Sequence, residues 1–193
     1  MELLYEECAK VANEISAKRK FNTLKVISII FYVISAIWLL VAWQGFDWSN
    51  GTFALAATIL PLAIFIAVGI LIGQYKNKFY IDYDYILISG SIRISKVINN
   101  AKRRDILTFD ARDIEKLGMF ASETYEKYEM QNGIIEGFLS SNSEPANGKD
   151  FYYMAVNTQG SKYLLVFECT ETFIKNVLKF TSNKVIEQGF SNK

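Results

Sequence analysis

The densest basic run in the chain outside its N-terminal arm is Lys102-Arg103-Arg104, set in NNAKRRDILTFD, with Arg93 and Lys96 a short way before it. Such a cluster can attract an anionic membrane surface, where each base contributes ~1 kcal/mol, or a protein partner. It can equally be a solvated turn that discourages strand-edge pairing. Asp82-Tyr83-Asp84 has the D-x-D spacing with which sugar-nucleotide transferases hold a divalent metal. In an alternating run it also reads as the solvated outer face of a strand, and no nucleotide-binding α/β pattern precedes it. Asp110-Ala111-Arg112-Asp113 offers two carboxylates around an arginine, a pairing that can share acid and base work. A turn in which aspartate accepts backbone hydrogen bonds is the preferred reading. The chain has no histidine, which removes the commonest general base and metal ligand. Cys8 and Cys169 match no zinc or redox spacing, and there is no G-x-S-x-G, P-loop or G-x-G-x-x-G. No catalytic residue, no metal and no cofactor is expected, and a non-enzymatic role follows. The net charge of +1 carries no nucleic-acid signal.

The elements that must position these residues begin with two uncharged runs, from Lys25 to Asp47 and from Asp47 to Lys76. Each is long enough for a helix of roughly 20 apolar residues, the length that crosses a bilayer core. The expected spans are residues 24–43 and 53–73, within a transmembrane hairpin over 23–75. A second equal run follows the first at once, so a cleaved signal peptide is not expected. Lys18, Arg19, Lys20 and Lys25 flank the first span and Lys76 and Lys78 the second, whereas QGFDWSNGT between them has no base. Positive flanks stay in the cytoplasm. The chain is therefore expected to cross the cell membrane twice, with both termini cytoplasmic. Trp43, Phe46, Trp48 and Phe53 suit the outer interface, and Tyr75, Phe79 and Tyr80 the inner one; the sequon at Asn50 lies too close to the membrane to count. Gly69 and Gly73 are small residues four apart, which permit close helix packing. Packing within the hairpin is preferred to dimerisation, though the motif leaves a homo-oligomer open.

Residues 1–22 place Leu4, Cys8, Val11, Ala12 and Ile15 at helical spacing, which predicts a cytoplasmic amphipathic helix. After Tyr75 the period changes to two. FYIDYDYILIS, IRISKVI and RRDILTFD read as strands joined by turns at Ser89-Gly90-Ser91 and Asn99–Lys102, with a fourth strand over 113–120. Ala121–Asp150 is acidic and rich in turn formers, with strands conceivable at 125–130 and 134–139. Phe151–Thr158 and Lys162–Cys169 form a hairpin, and Thr170 or Thr172 caps a helix striped by Phe173, Ile174, Val177, Leu178, Thr181 and Val185. Gly189 is the stop, and 189–193 a tail.

The segments YIDYDYILISGSIRI, KRRDILTFDARDIEKL and DFYYMAVNTQGSKYLLVFECTETFIKNVLKF, in that order, resemble a pleckstrin-homology-like (PH-like) domain. The hairpin before them is similar to that of bacterial membrane proteins, themselves uncharacterised, in which two transmembrane helices precede such a domain. The resemblance implies an α+β fold: a membrane α-helical hairpin plus an antiparallel β-barrel over 76–188, closed by a C-terminal helix. PH domains that bind phosphoinositides place their bases on the first two strands and the loop between them. This chain has only Arg93 near its first turn, so a phosphoinositide pocket is not expected. The reading is a membrane-anchored scaffold or regulatory module. Its contact candidates are Arg93, Lys96, Lys102, Arg103 and Arg104 toward membrane lipids or a protein partner, with the acidic stretch Glu123–Glu144 toward protein. The rivals are an oligomeric pore or transporter subunit, and a metal-dependent enzyme acting on a lipid-linked substrate.

Overall fold

The computed structural model describes residues 4–44, 51–182 and 185–187, with backbone alone at 52–54. The expectations placed on Phe46, Trp48, the sequon Asn50, Gly189 and the 189–193 tail, and on the side chain of Phe53, lie outside the described residues. The chain divides into two units. One is Asn13–Tyr80; the other joins the residues before Asn13 to those from Ile81 onward.

The first unit is a helical hairpin. Helix α1 spans Glu14–Gln44 and α2 spans Gly51–Tyr75. Both are long and apolar enough to cross a membrane. Helix α1 starts earlier than its apolar run because Asn13 caps it, its Oδ1 accepting from the Ser16 N–H at 2.9 Å. Glu14 in the first turn accepts from the Tyr80 hydroxyl at 2.6 Å, and Tyr80 is buried. The two glycines of α2 face α1: a Cβ at Gly69 would come within 2.9 Å of the Tyr32 ring, and one at Gly73 within 3.2 Å of Ser28 Oγ. Ser28 Oγ donates to the Gly69 carbonyl at 2.8 Å. Both glycines of the small-residue motif therefore pack against α1 within the hairpin.

The second unit corrects the N-terminal reading. Residues 1–22 do not form an amphipathic helix: Leu4–Ala9 is strand β1 and helix begins only at Glu14. Strand β1 pairs antiparallel with β2, Ile81–Ile88, from Leu4↔Ile88 to Ala9↔Tyr83. A free strand edge supplies backbone partners that six isolated helical residues would lack. The β-domain therefore runs on both sides of the hairpin in sequence, and its lower boundary is not residue 76. Strands β3 (Ser91–Ile98) and β4 (Lys102–Asp110) complete an antiparallel sheet in the order β1-β2-β3-β4. Its tight turns have positive φ at Ser89-Gly90, a two-residue connection whose geometry matches strand twist, and at Asn99-Asn100 in the three-residue connection between Ile98 and Lys102.

A second sheet has the order β5-β7-β8-β6, from β5 (Ile114–Met119), β6 (Ile134–Leu139), β7 (Asp150–Thr158) and β8 (Ser161–Cys169). Strand β7 lies between β5 and β8, so β6 takes the free edge of β8 and runs parallel to it. Among the described residues no strand pair joins the two sheets, so the expected closed, all-antiparallel barrel is corrected to two four-stranded sheets sharing one core. Tyr85, Leu87, Ile92 and Ile94 of the first sheet and Leu117, Met154 and Phe167 of the second are fully buried together. Helix α3, Glu123–Glu129, stands where a strand over 125–130 was conceivable, because Ser122 accepts from Tyr125 N and caps it. Helix α4, Glu171–Leu178, is capped by Thr170 and puts Phe173, Ile174 and Val177 into the core. It stops before Val185, which lies instead in a segment bridged to β5 at Leu117↔Ile186.

Candidate functional site

Register decides what the basic cluster can do. Val97 pairs with Arg103, Lys96 with Arg104, Ile98 with Lys102 and Arg93 with Thr108. Paired residues share a face and neighbours alternate. Lys96, Lys102 and Arg104 therefore lie on one face at the end of the β3–β4 hairpin, while Arg93 and Arg103 belong to the opposite one. Lys102 and Arg104 are exposed and Lys96 is half-buried. None of the three pairs with a carboxylate among the described residues, and Lys96 opposite Arg104 is a like-charge pair that repels directly across the ladder.

Arg103 is committed elsewhere. It donates to Asp84 Oδ2 at 2.5 Å and lies 3.6 Å from Glu6. Ser95, the small residue between Asp84 and Asp105 in the ladder, bonds Asp105 at 2.7 Å. Asp82 accepts from the Val11 N–H at 2.9 Å. Both aspartates of the D-x-D are buried and engaged, and no metal-ligand cluster occurs among the described residues. Cys8 stands opposite Asp84 in the ladder. Burial pushes its thiol up to about 12, reinforced by the hydrogen bond and charge of Asp84 and by the charge of Asp82, with Lys10 opposing. Asp110 and Asp113 form the reciprocal capping box of a 3-10 turn over Ala111–Asp113, as the turn reading expects.

The sequence reasoning missed a buried polar network. Glu168, wholly buried, accepts from Ser140 Oγ, from Asn142 Nδ2 at 2.8 Å and from Ala146 N at 3.0 Å. Asn142 also bonds the Lys10 carbonyl at 2.8 Å and accepts from Ala12 N at 2.7 Å. Glu7 accepts from Thr170 N and Oγ at 2.8 and 2.9 Å, and Lys149 lies 3.4 Å from it while bonding the Cys8 carbonyl at 2.6 Å. The network ties β1 to β8 and orders the loop 140–149, which composition alone left open. A Glu inside the apolar alternation of KYLLVFECT is the signal that could have found it, since a buried carboxylate needs several donors. On the other side of the second sheet, Phe120, Phe138 and Phe151 form an aromatic cluster with centroids 5.2–6.0 Å apart, and Phe138 and Met130 remain exposed.

Two small sheets sharing a core and a single helix after the last hairpin define a PH-like α+β module carried with an apolar helical hairpin. The chain belongs to the family described as Bacterial PH-like domain (DUF6106), whose model matches residues 11–187. The match spans both units, so the hairpin is part of what the family has in common. No curated protein and no solved structure matches the chain.

Proposed function

We propose that the chain is a non-enzymatic, membrane-anchored module: α1 and α2 span the cell membrane and hold the PH-like domain at its cytoplasmic face, where it engages a protein partner or anionic lipid. The observation that carries this reading is the in-register pairing of β1 with β2. Strand β1 precedes the hairpin and β2 follows it, so the two lie on one side of any membrane the hairpin enters. That requires an even number of crossings, in agreement with two helices, and the basic flanks make that side cytoplasmic. Anchoring raises effective concentration at the bilayer, so a weak contact suffices. The surfaces that support a contact are the Lys96–Lys102–Arg104 face for anionic lipid and the Phe138–Met130 region for a protein. Arg103, held by Asp84 and Glu6, is a poor candidate. Gly69 and Gly73 face Tyr32 and Ser28 of α1, which favours packing within the hairpin over an oligomeric pore.

Cysteine labelling tests the topology. In a chain with Cys8 and Cys169 replaced by serine, a cysteine at Asn50, between the helices, is expected to react with an impermeant maleimide in intact cells. A cysteine at Ser161, the first residue of β8, is expected to react only after permeabilisation. Labelling of both or neither in intact cells would overturn the two-span reading.

A further inference from the structure

Six bases flank the membrane helices, and the structure divides five of them into two groups, with Lys25 exposed and in neither. Lys20 Nζ lies 6.0 Å from the centroid of the Phe79 ring, Lys76 5.5 Å from Phe21, and Lys78 5.5 Å from Tyr75. These three are within the ~6 Å over which an aromatic face attracts a cation. Lys18 and Arg19 are exposed and pair with no carboxylate among the described residues. They line a shallow depression on one face of α1 together with Asn22, Thr23, Val26 and Ile27.

These residues form two parallel rows of four-residue spacing, Lys18-Asn22-Val26 and Arg19-Thr23-Ile27. At 1.5 Å rise per residue the charged and apolar ends are ~12 Å apart. The chemistry changes along that length from cation to neutral hydrogen-bonding group to hydrocarbon. A glycerophospholipid changes in the same order, from phosphate to ester oxygens to acyl chain. No acidic residue lines the depression, so its charge is of one sign, and the Arg19 guanidinium can meet a phosphate with two parallel bonds. Beyond Ile27 the helix continues with exposed Ile29, Ile30 and Val33, an apolar path for a chain.

We propose that this face of α1 binds one anionic glycerophospholipid, its phosphate between Lys18 and Arg19, its ester oxygens at Asn22 and Thr23, and an acyl chain along Val26 and Ile27. The site rests on the membrane-anchoring reading above and adds to it a lipid bound one to one, distinct from diffuse attraction of the β-domain to the bilayer.

The test uses the full chain in phosphatidylcholine nanodiscs containing a minor fraction of phosphatidylglycerol, released into mild detergent for native mass spectrometry. The unaltered chain is expected to retain one phosphatidylglycerol in preference to phosphatidylcholine. K18Q/R19Q is expected to retain it about thirtyfold more weakly, from ~1 kcal/mol per base. K76Q/K78Q, which removes the same charge from ring-bound positions, is expected to behave like the unaltered chain. Equal retention of both lipids, undiminished retention by K18Q/R19Q, or an equal loss in K76Q/K78Q would each overturn the site while leaving anchoring intact. Release of the chain from cell membranes by alkaline carbonate would remove the anchoring reading, and the site with it.

Discussion

Starting the chain at Ile81, the first residue of β2, is expected to leave a β-domain without cooperative stability. Joining Ala12 to Ile81 through a short Gly-Ser linker is expected to restore it as a soluble protein. The difference is β1 and the three residues after it. Ala9 is fully buried, Tyr5 packs on the core and Glu7 is nearly buried. Beyond the β1–β2 ladder, the segment bonds Asp82 through Val11, Asn142 through Lys10 and Ala12, Lys149 through the Cys8 carbonyl, and Thr170 twice through Glu7. At ~1 kcal/mol net for each of these six bonds, their loss amounts to about 6 kcal/mol before apolar burial is counted. That is comparable with the whole stability of a small domain, about 5–15 kcal/mol. The linker adds little, because each doubling of loop length costs only ~0.6 kcal/mol, and Ala9 already pairs with Tyr83 across the ladder. Trp38, Trp43 and Trp48 all lie in the removed segment, so unfolding in urea is followed by far-ultraviolet circular dichroism. The linked domain is expected to show one transition, and residues 81–193 alone none, or one at much lower urea. An equal midpoint for the two would refute the claim that β1 belongs to the fold.

Glu168→Ala in the linked domain leaves the Ser140, Asn142 and Ala146 donors without their acceptor. A loss of ~3 kcal/mol is expected in urea unfolding, with faster proteolysis within 140–149. Arg103→Met removes the arginine that pairs with nearly buried Asp84, but Arg103 is half exposed and screened, so the expected loss is about 1 kcal/mol in the same titration. Gly69→Ala brings a Cβ onto the Tyr32 ring, and a lower thermal midpoint of the full chain in detergent is expected, by roughly 1–3 kcal/mol; Gly73→Ala, facing Ser28 Oγ, is expected to cost less. Cys8 is held protonated in the fold: its ordinary value of 9.0 is raised to about 12. The folded state therefore keeps a proton that the unfolded state loses, so the contribution is present below pH 9 and falls away between about pH 9 and 12. Alkylation by iodoacetamide at pH 8 is expected to be roughly a hundredfold or more slower at Cys8 than in the urea-unfolded chain.

The sequence by itself determined whatever depends on neighbours along the chain. Two uncharged runs longer than a bilayer core could only be long apolar helices. The period-two alternation of YIDYDYILIS and of FYYMAVNT, with Asn-Asn or Gln-Gly between strands, set the hairpins and their turns. The capping role of Asp110 and Asp113 was legible too, because a turn is made by residues within hydrogen-bond reach of each other. Tertiary structure decided what depends on partners far off in sequence. LYEECA has apolar residues that suit a helix as well as a strand, and it becomes a strand because the edge of β2, on the far side of the hairpin, offers a complete set of backbone partners. Strand β6 runs parallel because β7 is flanked by β5 and β8, a matter of sheet order that its own residues do not encode. The run Lys102-Arg103-Arg104 looks like one patch on paper. The pleat turns its middle member to the opposite face, where Asp84 and Glu6 hold it, and leaves half-buried Lys96 with exposed Lys102 and Arg104 as the charge of the other face.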